Sequence, residues 1–67
     1  MAVGSAIRAR RSEMNLSQEA LAHEAGLDRS YMGGIERGEH NIAIINLIRI
    51  CRCLGLSASE LMDRAGL

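Results

Sequence analysis

The 67-residue sequence predicts an all-α fold, and its composition and its apolar spacing both support this class. Hydrophobic residues make up 48% of the chain, yet there is one tyrosine, no other aromatic residue and no proline. This composition suits small helices packed through Leu, Ile, Ala and Met. Apolar residues also recur at helical spacing between residues that typically begin and end helices. We expect one domain, residues 1–67, whose thin core would gain from dimerisation.

The first predicted helix spans residues 5–14 and carries several arginines among its apolar residues. Val3, Ile7 and Met14 are available to the core. Arg11 follows Ile7 by one helical turn, on the apolar side of the helix. Its side chain therefore either snorkels to water or forms one arm of a partly buried ion pair.

The next two predicted helices are short and close together. Ser17 is a favourable N-cap for a helix over residues 18–25, and Gly26 stands where a left-handed residue would end it. Asp28 is a second N-cap candidate, for a helix over residues 29–37. Two short helices joined by a Gly-containing turn are typical of a helix-turn-helix.

The third predicted helix has two distinct faces at about 100° per residue. Its apolar residues share one sector, and the other sector holds Arg29, Ser30, Gly33 and Arg37. Such an outward face suits phosphate oxygens and base edges in a DNA major groove. Most faces of this kind are simply solvated, so from this helix alone both interpretations stay open.

Glu36 lies on the third helix away from the arginine stripe and toward the packed side. That position makes it the natural partner of Arg11. From spacing alone, two unrelated surface charges remain the alternative.

Two further helices are predicted in the C-terminal half. A fourth, over residues 44–54, follows from a stripe at helical spacing made of Ile44, Leu47, Ile48, Cys51 and Leu54. A capping box from Ser57 to Glu60 opens a fifth helix over residues 58–63. Ile45 lies off the stripe, which hints at a partner surface, although isolated exposed isoleucines are common.

Charge gives a mixed indication about nucleic acid. Eight arginines balance eight acids and there is no lysine, so the basic excess of many DNA-binding domains is missing. Binding depends on those cations that actually meet phosphates, so their distribution matters more than their sum. No stretch approaches a membrane span or a signal peptide, and we expect a cytoplasmic protein.

Metal and enzyme chemistry find little support in the sequence. Cys51 and Cys53 would point to different faces of a helix, so they are expected to be reduced thiols, with Cys51 in the core. His23 and His40 lack a set of further ligands at metal spacing. No catalytic constellation or phosphate-binding glycine loop is present, so we expect neither a cofactor nor an enzyme.

A multi-segment pattern resembles a known family. Its pieces are LSQE, LA, AGLDRSY, IERG and LGLS at residues 16–19, 21–22, 25–31, 35–38 and 54–57. In this order and spacing the chain closely resembles the phage-repressor-like (Xre/Cro/cI) helix-turn-helix family over nearly its whole length. The stretches DRSY and GIER, followed by Asn41, are especially similar to controller proteins of restriction-modification systems.

The resemblance implies a five-helix repressor-like domain that binds double-stranded DNA as a homodimer on a palindromic or repeated operator. Arg29 and Ser30 would reach base edges from the third helix, and Gln18 would contact a phosphate. Residues implied to flank them on the DNA backbone are Tyr31, Arg37, His40 and Asn41, while Gly33 can supply only its backbone. The family also supports a structural bridge between Arg11 and Glu36.

The resemblance further implies a dimer surface on the fourth and fifth helices, with Ile45, Leu56, Leu61 and Met62 as candidates. Ala43 departs from the family at the place where a Ser or Thr cap often opens the fourth helix. The expected function is a sequence-specific transcriptional regulator with no evident small-molecule effector. An antitoxin or adaptor that uses the same fold to bind a protein is the alternative.

Overall fold

The computed structural model describes residues 2–67, and within that range it contains five α-helices and no strand. The helices are α1 (Ala2–Glu13), α2 (Gln18–Ala25), α3 (Arg29–Glu36), α4 (Ile44–Leu54) and α5 (Ala58–Arg64). The all-α fold class predicted from the sequence is confirmed. Within residues 2–67, no helix is long and apolar enough to span a bilayer.

Side-chain caps define the two helices of the helix-turn-helix. The Ser17 hydroxyl accepts a hydrogen bond from the Ala20 amide at 3.0 Å, which satisfies an orphan donor in the first turn of α2. Gly26 ends α2 in the left-handed conformation, with φ of 72°. The Asp28 carboxylate then accepts from the first amides of α3. The chain therefore turns within a few residues, and α3 packs against α2.

Helix α1 begins at Ala2, earlier than the predicted start at residue 5. Val3 and Gly4 are buried, and a Cβ on Gly4 would overlap the carbonyl oxygen of Ile35. The first turn of α1 is thus set by close packing on the end of α3. No side-chain cap signals this packing in the sequence, and the prediction was wrong for that reason.

The core lies where α1 and α4 pack on the helix-turn-helix and where α5 packs on α1 and α4. The large side chains with almost no exposed area are Ile7, Leu21, Met32, Ile35, Ile50, Leu54 and Leu61. Met14 was expected in this core but is exposed. Helix α1 ends at Glu13, and Asn15 then takes a left-handed conformation, so Met14 lies in the turn outside the packed face.

Helix α4 buries three of the five residues of the predicted stripe and adds Ile50 to them. Ile50 is fully buried with Leu47, Cys51 and Leu54, while the predicted stripe members Ile44 and Ile48 are exposed. The buried set keeps the i, i+3, i+4, i+7 spacing of one helix face. Because α4 has more isoleucines than one face can bury, spacing alone could not choose between the two stripes.

The predicted dimer residues divide by burial. Leu61 has no exposed area because it fills the core beneath α5, so its assignment to a dimer surface was wrong. Leu56 and Met62 are partly buried against the core. Ile45 is 55% exposed and remains available to a partner.

Candidate nucleic-acid interface

Helix α3 is held so that one of its faces points outward. Met32 and Ile35 are fully buried beneath it, and Asp28 caps its first turn through hydrogen bonds to the amides of Ser30 and Tyr31. With its apolar sector fixed in this way, the opposite sector carries the exposed side chains of Arg29 and Ser30 into solvent.

A cleft of about 220 Å³ brings together the central residues of the sequence prediction: Gln18, Arg29, Ser30, Gly33 and Arg37. Gly33 forms its buried floor. A Cβ at Gly33 would lie 3.1 Å from Gln18 Oε1 and 3.1 Å from Arg37 Nη1, so these two side chains converge above the glycine. Guanidinium, hydroxyl and amide groups therefore share one concave surface, which suits hydrogen bonding to phosphates and base edges.

An ion pair lies behind this cleft. Arg11 donates from Nε and Nη2 to the Glu36 carboxylate at 2.9 and 3.0 Å, and from Nη1 to the Leu16 carbonyl at 2.9 Å. The Glu36 side chain is only 3% exposed. Its negative charge is thus matched inside the protein and is not presented to a DNA groove.

Glu36 also orients Gln18. The Gln18 side chain donates from Nε2 to Glu36 Oε1 at 3.3 Å. Since an ionised carboxylate can only accept hydrogen bonds, the Gln18 amide must turn its nitrogen to Glu36 and its oxygen toward Gly33. One buried carboxylate therefore links α1, α2 and α3 behind the cleft.

Arg37 is partly engaged at the surface. It donates from Nε and Nη2 to the Glu39 carboxylate at 2.8 and 3.2 Å, and both side chains are exposed. The hydrogen bonds from Arg37 lower the pKa of Glu39 below its ordinary value, and those to Glu39 raise the pKa of Arg37. A contact between Arg37 and a DNA phosphate would compete with the ion pair between Arg37 and Glu39.

Tyr31, His40 and Asn41 lie at the other end of the interface. Tyr31 is half-buried, and its hydroxyl accepts a hydrogen bond from Asn46 Nδ2 of α4 at 3.4 Å. Its ring centroid is 5.3 Å from that of His40, with the planes tilted by 43°. Asn41 follows His40 in the exposed loop before α4. None of these three residues lines the cleft.

Arg8 lies beside this interface, although the sequence did not predict it there. An adjoining cleft of about 310 Å³ is lined by Arg8, Arg11, Gln18, Glu36 and Arg37. Arg8 is exposed and, within residues 2–67, has no carboxylate partner. The run of arginines around it in α1 was the available signal, but α1 offered no reason to place it beside α3.

Metal-binding and thiol groups take no part in this surface. Residues 2–67 contain no grouping of three or more His, Cys, Asp or Glu side chains that could hold a metal ion. Cys51 is buried and Cys53 is half-buried, and both are free thiols. Burial raises the pKa of each thiol, so both favour the protonated form.

Known proteins are similar to this chain in sequence and in fold. The sequence model of the family Helix-turn-helix (HTH_3) matches residues 7–61. The control protein C.SmaI of Serratia marcescens is 43% identical over 61 residues, which cover 91% of this chain and 73% of that protein. The crystal structure of the restriction-modification controller protein C.AhdI from Aeromonas hydrophila matches with a TM-score of 0.87 and 42% identity, over 90% of this chain and 91% of that one.

A protein solved in complex with DNA is also similar in structure. SinR, the master regulator for biofilm formation solved in complex with DNA, matches with a TM-score of 0.85 and 34% identity. The match covers 91% of this chain and 98% of the SinR chain.

Proposed function

This chain belongs to the helix-turn-helix family HTH_3 and is a DNA-binding transcriptional regulator, and from that premise we propose that it acts as a restriction-modification controller protein. In this proposal it is cytoplasmic, works without a cofactor, and binds a palindromic or repeated operator as a homodimer. The whole chain, residues 1–67, is the DNA-binding domain.

The observation that carries DNA binding in this proposal is the cleft lined by Gln18, Arg29, Ser30, Gly33 and Arg37. Arg29 is exposed and, within residues 2–67, has no carboxylate partner, so its planar guanidinium is available for bidentate contact with a guanine edge. Ser30 would read an adjacent base, while Gln18 and Arg37 would hold the phosphate backbone. Tyr31, His40 and Asn41 would extend these contacts along the backbone.

Homodimerisation is supported by the exposed isoleucines of α4. Ile44, Ile45 and Ile48 are all exposed on this one helix. Leu56 and Met62 follow α4 in the sequence and are only partly buried. Paired apolar faces would bury this area and would add to a small core. A two-fold dimer would place two α3 helices in successive major grooves, about 34 Å apart.

The same isoleucines support a second candidate, an antitoxin or adaptor that binds a different protein. The two candidates differ in the forces that hold their complexes. A complex with DNA releases counterions from phosphates, whereas an apolar protein interface depends only weakly on salt.

A salt titration of binding tests the proposed function. Fluorescence anisotropy would follow binding of the full chain to labelled genomic DNA fragments between 50 and 200 mM salt, an interval in which about six phosphate contacts cost roughly a thousandfold in affinity. We expect a steep linear fall of log affinity with log salt. Arg37→Gln should reduce the slope by about one. Arg64→Gln removes a charge on α5 that lines neither cleft, so it should leave the slope unchanged. Binding that is absent or insensitive to salt would favour the protein-interaction candidate.

A further inference from the structure

Arg37 differs from the other arginines of the two clefts in the way its charge is matched. Within residues 2–67, Arg8 and Arg29 have no carboxylate partner, and Arg11 is matched by a buried one. Arg37 lines both clefts, yet its guanidinium is held by Glu39, an exposed residue that lines neither cleft. One cation of the proposed DNA interface is therefore matched by an acid at the surface.

The end of α3 fixes the position of Glu39. Gly38 follows the C-cap residue Arg37 and has a left-handed φ of 77°. The Gly38 amide donates to the Ile35 carbonyl at 3.0 Å. The Glu39 amide donates to the Gly34 carbonyl at 2.8 Å. These two hydrogen bonds are those of a Schellman motif. The backbone that closes the helix therefore also anchors Glu39 two residues beyond Arg37, within reach of its side chain.

The contact between Arg37 and Glu39 is bidentate. Arg37 Nε donates to Oε2 at 2.8 Å, and Nη2 donates to Oε1 at 3.2 Å. A phosphate group also binds arginine through two acceptor oxygens side by side, so the carboxylate occupies a guanidinium edge that a phosphate would use. The third nitrogen, Nη1, would lie 3.1 Å from a Cβ at Gly33, above the floor of the cleft.

A DNA phosphate can reach Arg37 in two ways, and both cost binding free energy. Displacement of the Glu39 carboxylate breaks two hydrogen bonds between charged groups. A phosphate that binds beside the carboxylate instead lies close to a like charge. Exposed ion pairs are weak in general, but bidentate geometry is the case in which they contribute most. Glu39 thus offsets part of the attraction between Arg37 and DNA.

We propose that Glu39 lowers the affinity of this protein for DNA by competing with the phosphate backbone for Arg37. The effect does not depend on base sequence, because phosphate contacts position a protein on DNA and carry no direct sequence information. Glu39 is then an internal competitor that limits the strength of the interface, and it makes no contact with DNA itself. This inference rests on the proposed function and deepens it, because it names a residue that regulates the same site.

A double-mutant cycle of Glu39→Gln and Arg37→Gln tests the proposal, by fluorescence anisotropy with the full chain and a DNA site selected by the parent protein. Glu39→Gln should bind this site about fivefold more tightly, near the upper end for an exposed ion pair. When Arg37 has already been replaced, the same change should raise affinity less than twofold, because the ion pair is no longer there to break. No gain in the parent background, or an equal gain in both backgrounds, would overturn the proposal.

Asp63→Asn is the matched control for net charge. It also removes one negative charge, from an exposed position of α5 that lines neither cleft. Its affinity for the selected site should equal that of the parent, and a gain as large as that of Glu39→Gln would overturn the proposal in favour of net charge. The Tm of Glu39→Gln should stay close to that of the parent, so that its gain in affinity does not come from a larger folded fraction.

Site selection from a random DNA pool separates this proposal from the wider function. Glu39→Gln should select the same bases as the parent, because only a phosphate contact is strengthened. A changed base preference would overturn the proposal. A parent protein that selects no site would contradict the proposed function and this inference with it. Normal site selection without tighter binding by Glu39→Gln would overturn only the role of Glu39.

Discussion

Glu36 is the one charged residue among residues 2–67 that is buried. Its carboxylate accepts two hydrogen bonds from Arg11 and a third from Gln18. A buried charge is tolerated when its partners satisfy it in this way, and removing one partner leaves the other uncompensated. The ion pair therefore connects stability with the orientation of a residue in the proposed DNA interface.

Replacing Glu36 by alanine should lower the free energy of unfolding by about 3 kcal/mol, near the lower end for a broken buried pair, because Arg11 keeps some contact with water. Urea denaturation followed by circular dichroism measures this change. Glu39→Gln is the matched control, since it breaks an exposed pair with Arg37 and should leave stability nearly unchanged. Equal losses of stability in the two variants would show that burial does not govern the free-energy cost of breaking an ion pair.

Single residues were predictable where one helix face decided their position. The wheel of α3 set Glu36 apart from the arginines and made it the natural partner of Arg11, while spacing alone still allowed two unrelated surface charges. The structure has these two side chains in contact. The added hydrogen bond from Gln18 and the position of Arg8 beside α3 were not predictable. Each depends on side chains from different elements meeting at one point, and no spacing within a helix contains that information.

At the scale of elements, α4 lacks a side-chain cap. Ala43 has the extended conformation of an N-cap residue, with φ of −68° and ψ of 145°, but makes no cap hydrogen bond. Ala43→Ser should therefore stabilise the protein by about 1 kcal/mol, because its hydroxyl can satisfy an orphan amide. The matched change, Ser17→Ala at the start of α2, should destabilise it by a similar amount. Urea denaturation of both variants checks the pair, and a neutral or harmful Ala43→Ser would contradict this account of α4.

Glu13 connects the end of α1 with α5. Hydrogen bonds from Arg64, and then from Arg10, hold the pKa of Glu13 below its ordinary value. Because the folded-state pKa is lowered, this stabilisation is fully present above the unfolded-state pKa and is lost as pH falls through the folded-state value. Glu13→Gln should thus be less stable than the parent at neutral pH, and the difference should vanish in acid. Tm measured across pH checks this, and a difference that persists in acid would contradict it.

Element boundaries were predictable where caps set them. Ser17, Gly26 and Asp28 fix the helix-turn-helix, and the chain shows these caps plainly. The start of α1 and the buried face of α4 were not readable, because packing against other helices decides them. Gly4 against Ile35 is a contact between elements far apart in the sequence.

For the whole molecule, the zero net charge proves a poor guide to its partner. Several acids are matched within the protein, since Glu36, Glu13 and Glu39 each pair with arginine. Arg29 and Arg8 have no such partner within residues 2–67; Arg29 lines the first cleft, and Arg8 lines the adjoining one. The distribution of charge therefore supports DNA binding although the sum does not.

The proposed homodimer can be tested through Ile45. Because this side chain is 55% exposed, Ile45→Arg should leave the monomer folded but weaken self-association by about tenfold or more. Sedimentation equilibrium measures the change, with circular dichroism to confirm folding. Ser12→Arg adds the same charge at an exposed position of α1, away from this face, and serves as the control for altered surface charge. Unchanged self-association of Ile45→Arg would exclude this face of α4 from the dimer.

The central claim is that α3 reads DNA sequence through Arg29. Selection of bound sites from a random DNA pool, carried out with the full chain and with Arg29→Ala, tests this most directly. The account predicts that the parent enriches two related half-sites about one helical turn apart, and that Arg29→Ala loses preference at one position of each half-site with a cost of about 1–3 kcal/mol. An identical selected site for both proteins, or no enrichment by the parent, would contradict it.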